Sequence, residues 1–310
     1  MSIVVLGAVF IDIKGHSISS YIPAGRNVGT VEEVHGGVSR NVVEDIANVE
    51  LRPKFVSLVD ESAIGAGVLD KLTKHKVDTR FVRKTADGMG KWLAVFDNHG
   101  DVVASISKRP DLSAINDILD EEGDEIFHDA DSIALEMDME KETIKRVFKY
   151  AEKYNLKVYA AVSNMSIAVE RRDFLKNVEC FVCNQQEAGI LFMDDYSEKT
   201  PENMQEILSK KLKGAQIKKM IVTMGGVGAV YADIDGNTGF VPARKVDVKD
   251  TTGAGDSFFA GVTIGLTYGK SLEESCEIGS KLAASVIVTS DNVCPRFLPS
   301  EFGIDVAENE

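Results

Sequence analysis

The most informative stretch of this sequence is Asp250-Thr251-Thr252-Gly253-Ala254-Gly255-Asp256-Ser257-Phe258. A strand-like segment, Lys245 to Val248, precedes it, and the apolar residues from Asp256 to Thr267 predict a helix directly after it. Glycine lets the backbone approach a ligand closely, and the first N–H groups of a helix have no partner inside that helix. Together with the helix dipole, such a helix start forms an anion site.

This helix start suits phosphoryl transfer. Charge spreads over the oxygens of the moving group, so nearby backbone amides stabilise the transition state. Asp256 is placed to accept the proton of an attacking hydroxyl. The alternative is a plain helix N-cap, where an acidic residue after glycines is common. The chain has no G-x-x-x-x-G-K-[ST] motif, and its Gly225-Gly226-Val227-Gly228 run lacks the spacing of a dinucleotide fingerprint, which disfavours an NAD enzyme.

The rest of the chain alternates short apolar runs with helix-like segments, which predicts an α/β fold with a mostly parallel sheet. The runs are Ile3 to Leu6, Phe55 to Val59, Ser132 to Leu135, Lys157 to Val162, Cys180 to Val182 and Met220 to Thr223. Two segments, about 13–35 and 88–107, carry strand patterns instead and predict a small β-sheet lid, with ordinary surface hairpins as the alternative. We expect residues 1–310 to form one domain that includes this lid.

Composition narrows the function classes. The net charge of -14 argues against a nucleic-acid partner. No apolar run approaches the roughly 18 residues that a membrane helix needs, so no membrane partner is expected. Four cysteines are too few for a disulfide framework and predict a cytoplasmic protein. Cys180 and Cys183 form a C-x-x-C without a second pair or a nearby histidine, which favours buried strand residues over a metal or redox site.

Residues 250–258 resemble the C-terminal signature of the ribokinase-like, or phosphofructokinase-B, carbohydrate kinases. Three further motifs are similar to those of this family and stand in its order: Gly36-Gly37-Val38-Ser39-Arg40-Asn41, Asn184-Gln185-Gln186-Glu187 and Thr223-Met224-Gly225-Gly226-Val227-Gly228. The resemblance covers nearly the whole chain. It implies a ribokinase-like, three-layer, doubly wound α/β fold with a lid, and an ATP-dependent kinase that requires Mg²⁺.

The resemblance also implies roles for individual residues. Asp256 would be the catalytic base, and the backbone of Gly253, Ala254 and Gly255 would form the anion hole. The expected substrate contacts are Asp12, Gly36, Gly37 and Asn41, joined by Glu136 and Asp138; each carboxylate has the alternative of a solvated strand end. The expected nucleotide contacts are Asn184, Thr223, Gly225, Gly228 and Asn292. Glu187 would hold magnesium through water, and Asp250 and Thr252 are positioned for a monovalent cation such as K⁺.

The opening G-A-V-F-I-D-I-K-G (residues 7–15) and the run G-G-V-S-R-N (residues 36–41) are similar to those of pseudouridine kinases. We therefore expect the enzyme to phosphorylate the 5′-hydroxyl of pseudouridine. Alternatives are a ribokinase-type or other sugar kinase, and a catalytically silent sugar- or nucleoside-binding paralogue. A phosphosugar substrate is a further alternative, because Arg26, Arg40 and Lys91 would offer a clamp for its phosphate. The resemblance also implies a homodimer formed through the lid.

Overall fold

The computed structural model of this protein describes residues 2–305. The strands within them are β1 (Ile3–Leu6), β2 (Val9–Ser17), β3 (Gly29–Gly36), β4 (Lys54–Val59), β5 (Val82–Lys84), β6 (Met89–Phe96), β7 (Val102–Lys108), β8 (Ser132–Glu136), β9 (Lys157–Ala161), β10 (Cys180–Asn184), β11 (Lys219–Thr223), β12 (Gly228–Asp233) and β13 (Thr238–Pro242). The α-helices are α1 (Val38–Asn48), α2 (Ala63–Lys74), α3 (Ile115–Phe127), α4 (Lys141–Tyr154), α5 (Met165–Ala168), α6 (Gln185–Phe192), α7 (Pro201–Ala215), α8 (Ala254–Thr267) and α9 (Leu272–Val286).

The main sheet has the order β13-β12-β11-β10-β9-β8-β1-β4-β5. The strands from β11 to β5 run parallel, and β12 and β13 add an antiparallel edge. Successive residues of β1 point to opposite faces. Ile3 and Val5 therefore pack in the core that contains α1, α8 and α9, and Val4 and Leu6 pack in the core of α3, α4 and α7. The predicted three-layer fold is confirmed.

The smaller sheet has the order β3-β2-β6-β7. β2 pairs antiparallel with β3 and parallel with β6, and β7 pairs antiparallel with β6. The lid predicted at about 13–35 and 88–107 is confirmed, although β2 begins earlier, at Val9. It does so because only Gly7 and Ala8 separate the end of β1 from the lid. All seven residues of β7 are exposed, so one edge of the lid faces solvent.

Two further sequence predictions concern the segment before α8 and the cysteines of β10. The strand predicted at Lys245 to Val248 is wrong, because the segment between β13 and α8 forms no ladder with another strand. Cys180 and Cys183 lie in the buried strand β10, as expected, and burial raises the pKa of both thiols. Within the described residues, no helix has the length and apolarity needed to cross a bilayer.

Candidate active site

The start of α8 is shaped by Gly253, which caps the helix with a φ of 81°. That left-handed conformation favours glycine. A Cβ at this position would also lie 2.1 Å from the carbonyl oxygen of Asn292, so the loop has no space for a side chain here. The N–H of Ala254 donates to the carbonyl of Thr251 (3.2 Å). Gly255 is exposed and open space lies beyond its Cα, which leaves the first helical turn accessible to an anion.

Asp256 lies in the first turn of α8 and is held by α1. The Nδ2 atom of Asn41 donates a hydrogen bond of 2.7 Å to Oδ2 of Asp256. Burial raises the pKa of Asp256 to about 7; the bond from Asn41 and the charge of Arg40 limit the rise, and the carboxyls of Asp45 and Asp12 add to it. A carboxylate with a pKa near neutrality is suited to accept a proton and release it again. The structure therefore brings Asp256, the predicted base, into contact with Asn41, which was predicted as a substrate residue.

The orientation of the Asn41 amide is set by the buried residue Arg40. Arg40 Nη1 donates to Oδ1 of Asn41 at 2.8 Å, which leaves Nδ2 of that amide to face Asp256. Arg40 pairs with Glu44 one helical turn later, and both side chains are almost fully buried. The alternative role of Arg40 as a clamp for a substrate phosphate is wrong, because the guanidinium is inaccessible. We call Arg40, Asn41, Glu44 and Asn292 the Arg40 cluster.

Asp12 reaches the same region from the lid. It is half-buried in β2, and a Cβ at Gly36 on the neighbouring strand would lie 2.4 Å from its Oδ2. Gly36 thus makes room for the carboxylate. Gly37 has a φ of 99° and leads directly into α1, which carries Asn41. Burial raises the pKa of Asp12 to about 6, and the charges of Lys14 and Arg40 limit that rise. Of the six residues predicted to bind the substrate, Gly36, Gly37 and Asn41 therefore follow one another from β3 into α1, and Asp12 lies against Gly36 from β2.

Glu136 and Asp138 were expected to reach the substrate pocket, but the structure buries both. Each is 2 % exposed. Glu136 Oε2 accepts hydrogen bonds from Ala8 N (3.0 Å) and Ser39 Oγ (2.9 Å). Asp138 accepts hydrogen bonds from Ser163 and pairs with Arg109 at 2.8 Å. Glu136 therefore links Ala8, shortly after β1, to the start of α1, and Asp138 is bonded to Ser163 and Arg109, so both carboxylates are engaged within the protein.

A cavity of about 460 Å³ opens beside the start of α8. Thr223, Gly225 and Gly228, which were expected to approach the nucleotide, line it together with Ala254 and Gly255. Its remaining walls are mostly apolar and include Val246, Val248, Phe258, Ala283, Ala284 and Ile287. A cavity of this size, mostly apolar and open to a helix N-terminus, suits a nucleobase and ribose whose phosphates extend to the helix.

Asn292 was expected at the nucleotide, but its side chain lies in the Arg40 cluster. Its Nδ2 donates to the carbonyl of His35 at 2.7 Å, and its Oδ1 accepts from Arg40 Nη1 at 3.3 Å. Asn292 is 5 % exposed and is not among the described residues that line the cavity. Its contribution to the site is therefore the carbonyl group that packs against Gly253.

Asn184, expected at the nucleotide, ends β10, and Glu187, expected to hold magnesium, lies in the first turn of α6. Asn184 and Glu187 form a capping box, in which Asn184 N donates to Glu187 Oε2 and Glu187 N donates to Asn184 Oδ1, both at 2.8 Å. Burial and the nearby charge of Asp138 raise the pKa of Glu187, while the bond from Asn184 lowers it. An added cation would relieve this repulsion. The capping box uses only Oε2 of Glu187, so Oε1 would be available to a magnesium ion held through water, with most ligands supplied by water and phosphate oxygens.

Asp250 and Thr252, the expected monovalent-cation ligands, bond to each other. The N–H and hydroxyl of Thr252 both donate to Oδ1 of Asp250, at 2.9 and 2.8 Å. Partial burial opposes ionisation of Asp250, but these bonds and the charge of Lys14 outweigh it and hold its pKa below the usual range. Lys14 comes from the lid and reaches both residues.

The roles of four residues around the site were missed at the level of sequence. Arg40 and Glu44 stand four residues apart in an otherwise buried helix, a spacing that signals an ion pair. Asp45 is fully buried and accepts hydrogen bonds from Ser257 Oγ at 2.7 Å and Cys294 N at 2.6 Å, which ties α1 to α8 and to the C-terminal loop. No sequence pattern pointed to the contact between Lys14 and the loop before α8.

Comparison with known proteins gives the family. Residues 1–295 match the family profile described as pfkB family carbohydrate kinase. The chain belongs to the pfkB family of carbohydrate kinases. The kinase class that the four motifs predicted is thus confirmed, and this pfkB-family enzyme is a sugar or nucleoside kinase.

Two curated relatives of this pfkB-family kinase are informative. The guanosine-inosine kinase of Exiguobacterium acetylicum is 36% identical over 293 residues, which cover 94% of this chain and 95% of that protein. The pseudouridine kinase of Escherichia coli (strain K12) is 25% identical over 265 residues, covering 84% and 82%. The solved structure of Arabidopsis thaliana ribokinase complexed with ribose and ATP has a TM-score of 0.80 at 20% identity and covers 95% of this chain and 96% of its own; it confirms the ribokinase-like fold.

Proposed function

We propose that this kinase transfers the γ-phosphoryl group of ATP to the 5′-hydroxyl of a purine ribonucleoside, guanosine or inosine. The observation that carries this proposal is the Asp256 carboxylate, which is held by Asn41 at the open start of α8 and has a pKa of about 7. In the proposed step, Asp256 takes the proton of the 5′-hydroxyl while that oxygen bonds to the γ-phosphorus. The bond to the β-phosphate oxygen breaks and ADP leaves.

The surrounding residues would position the two substrates for this step. Asp12 would accept hydrogen bonds from ribose hydroxyls, since one carboxylate can accept two of them. The mostly apolar cavity beside α8 would take the adenine and ribose of ATP, with the phosphates at the exposed residue Gly255. When it is bound through water at Glu187, Mg²⁺ would supply positive charge to the phosphate oxygens.

The lid offers an aromatic surface for a nucleobase. Trp92 is the in-register neighbour of Asp12, and Phe96 and His16 lie on the same face of the lid. The rings of His16 and Phe96 stack with centroids 4.6 Å apart, and Trp92 meets Phe96 edge-on at 6.3 Å. Flat aromatic groups beside a ribose-binding carboxylate favour a nucleoside over a free sugar.

The choice of guanosine or inosine follows the relative that is 36% identical over nearly the whole chain. Pseudouridine is the second candidate, because the G-G-V-S-R-N run is similar to that of pseudouridine kinases and one such enzyme is 25% identical. Both candidates share the same 5′-hydroxyl chemistry and differ in the base that the lid must accept.

A coupled ADP-release assay separates these candidates. Guanosine, inosine, pseudouridine, adenosine, uridine, ribose and fructose 6-phosphate are compared at equal concentration. We expect kcat/KM for guanosine and inosine to exceed that for the other compounds by at least roughly tenfold. The Asp256→Asn variant should lose about 10²- to 10⁴-fold in kcat and still bind ATP. Fastest turnover with ribose or fructose 6-phosphate would contradict the nucleoside assignment, and full activity of Asp256→Asn would contradict the role of the base.

We also propose that residues 1–310 work as one cytoplasmic kinase domain that forms a homodimer through the lid. The outer face of the lid supports this, because β3, β6 and β7 each place an exposed apolar residue on it. Leu93 and Ile106 are in-register neighbours, exposed by 41% and 69%, and Val31 is exposed by 73%. An exposed apolar sheet face of this kind favours association with a second copy.

A further inference from the structure

Lys14 leaves the lid and enters the loop that precedes α8. Its Nζ lies 3.3 Å from Thr252 Oγ1 and 3.6 Å from Asp250 Oδ2. The residue is only 7% exposed, although it belongs to a lid strand. The contact joins residues 238 positions apart and links the lid directly to the loop that carries Gly253. A buried ammonium group therefore stands beside the anion hole.

This ammonium group and a free monovalent cation exclude each other at the same pair of side chains. Asp250 Oδ1 already accepts two bonds from Thr252, and its Oδ2 faces Lys14. The Thr252 hydroxyl donates to Asp250 and accepts from Lys14, so it has little capacity left for another ligand. A second positive charge within about 4 Å of Nζ would be repelled. The residues present thus do not fit the K⁺ ion that the sequence led us to expect here.

We propose that the Lys14 ammonium takes the place of a monovalent cation beside the anion hole. It neutralises Asp250 and fixes the Thr252 hydroxyl, and so holds the loop in which Gly253 begins the anion-binding turn. The charge arrives on a lid strand, whereas a bound ion would be independent of the lid. Placement of the lid and completion of the anion hole therefore occur together in this kinase. Its activity does not require K⁺.

The first test uses the unmodified enzyme. Its kcat is measured with a nucleoside substrate at constant ionic strength in KCl, NaCl and tetramethylammonium chloride, a cation too large for such a site. We expect the three values to agree within about twofold. A rise of more than roughly tenfold that is specific to KCl would overturn the proposal. This readout rests on the proposed kinase activity; the absence of turnover in all three salts would count against that activity.

The second test needs no activity. The Lys14→Met variant keeps the length of the side chain and removes its charge, which frees Asp250 and Thr252. We expect its melting temperature to rise by roughly 2–4 °C on exchange of tetramethylammonium for K⁺, while the unmodified enzyme shows no such rise. If Lys14→Met is active, its kcat should be at least tenfold higher in K⁺ than in tetramethylammonium. Lys108→Met, which removes an exposed lysine from the lid, is the matched control and should behave as the unmodified enzyme.

The outcomes are distinct. A K⁺-specific stabilisation of the unmodified enzyme, equal to that of Lys14→Met, would show that the ion binds with Lys14 in place and would refute the inference. The inference would also be refuted if K⁺ changed neither the melting temperature nor the kcat of Lys14→Met. If Lys14→Met fails to fold, Lys14→Arg retains a positive charge at this position and should remain active in tetramethylammonium chloride; a requirement for K⁺ in that variant would contradict the proposal.

Discussion

Replacing Asn41 by alanine is the sharpest test of the proposed base. Asn41 Nδ2 donates a bond of 2.7 Å to Asp256, and Arg40 fixes the amide in the orientation that makes this possible. The bond stabilises the carboxylate form, because an amide is a better partner for the charged group than for the neutral one. Without it, burial and the charges of Asp45 and Asp12 act on Asp256 with less opposition, so the pKa of Asp256 rises further.

The size of the effect follows from the strength of the bond. A hydrogen bond to a charged group contributes about 1.5–3 kcal/mol, and one pKa unit corresponds to about 1.4 kcal/mol. The pKa of Asp256 should therefore rise from about 7 by roughly 1–2 units. The active form of a base is the carboxylate, so kcat/KM rises as pH increases through this pKa. At pH 7 the ionised fraction falls from about a half to roughly 1–10 %, and kcat/KM should fall roughly 5- to 50-fold for this reason alone.

The assay is ADP release with guanosine or inosine between about pH 6 and pH 9.5. Near pH 9 the variant should recover to within about twofold of its own plateau, because Asp256 is then at least half ionised. Asn203→Ala, an exposed asparagine in the first turn of α7, is the matched control and should leave the acid limb of the profile unmoved. If Asn41→Ala loses the same factor at every pH, Asn41 acts only by binding substrate, and the proposed tuning of Asp256 is refuted.

Three further predictions concern the substrate carboxylate Asp12, the buried ion pair in α1 and the outer face of the lid. Gly36→Ala would place a Cβ 2.4 Å from Asp12 Oδ2, so the carboxylate must move. KM for the nucleoside should therefore rise at least roughly tenfold while KM for ATP stays unchanged. Equal changes in the two KM values would contradict the role of Asp12. Glu44→Gln leaves the charge of Arg40 buried without its partner, so the free energy of unfolding in urea titrations should fall by about 3–5 kcal/mol. A loss below about 1 kcal/mol would show that the pair is dispensable. Ile106→Asp puts a charge on the outer face of the lid and should give monomers in light scattering where the unmodified protein gives dimers; dimers of the variant would place the interface elsewhere.

Much of the fold follows from local sequence pattern. The apolar runs of the main sheet are buried on both faces, so a short continuous run such as Ile3–Leu6 identifies a strand without knowledge of its neighbours. The start of α8 was equally clear, because a helix that begins after Gly253 depends on backbone conformation within a few residues. Such patterns fail for the segment Lys245 to Val248. It has the composition of a strand, but no neighbouring strand completes a ladder with it.

The sequence by itself indicated the kinase class, the start of α8 and Asp256 as the proposed base, because these depend on short motifs whose chemistry is local. The tertiary structure alone decided which charges surround that base. The partners of Asn41, Lys14 and Glu136 lie 215, 238 and 97 residues away along the chain, and no spacing rule connects them. Burial was equally unpredictable, because it depends on every layer packed around a side chain. For that reason Glu136, Asp138 and Asn292 turned out to be buried and bonded within the protein, and Lys14 to reach the loop before α8 from the lid.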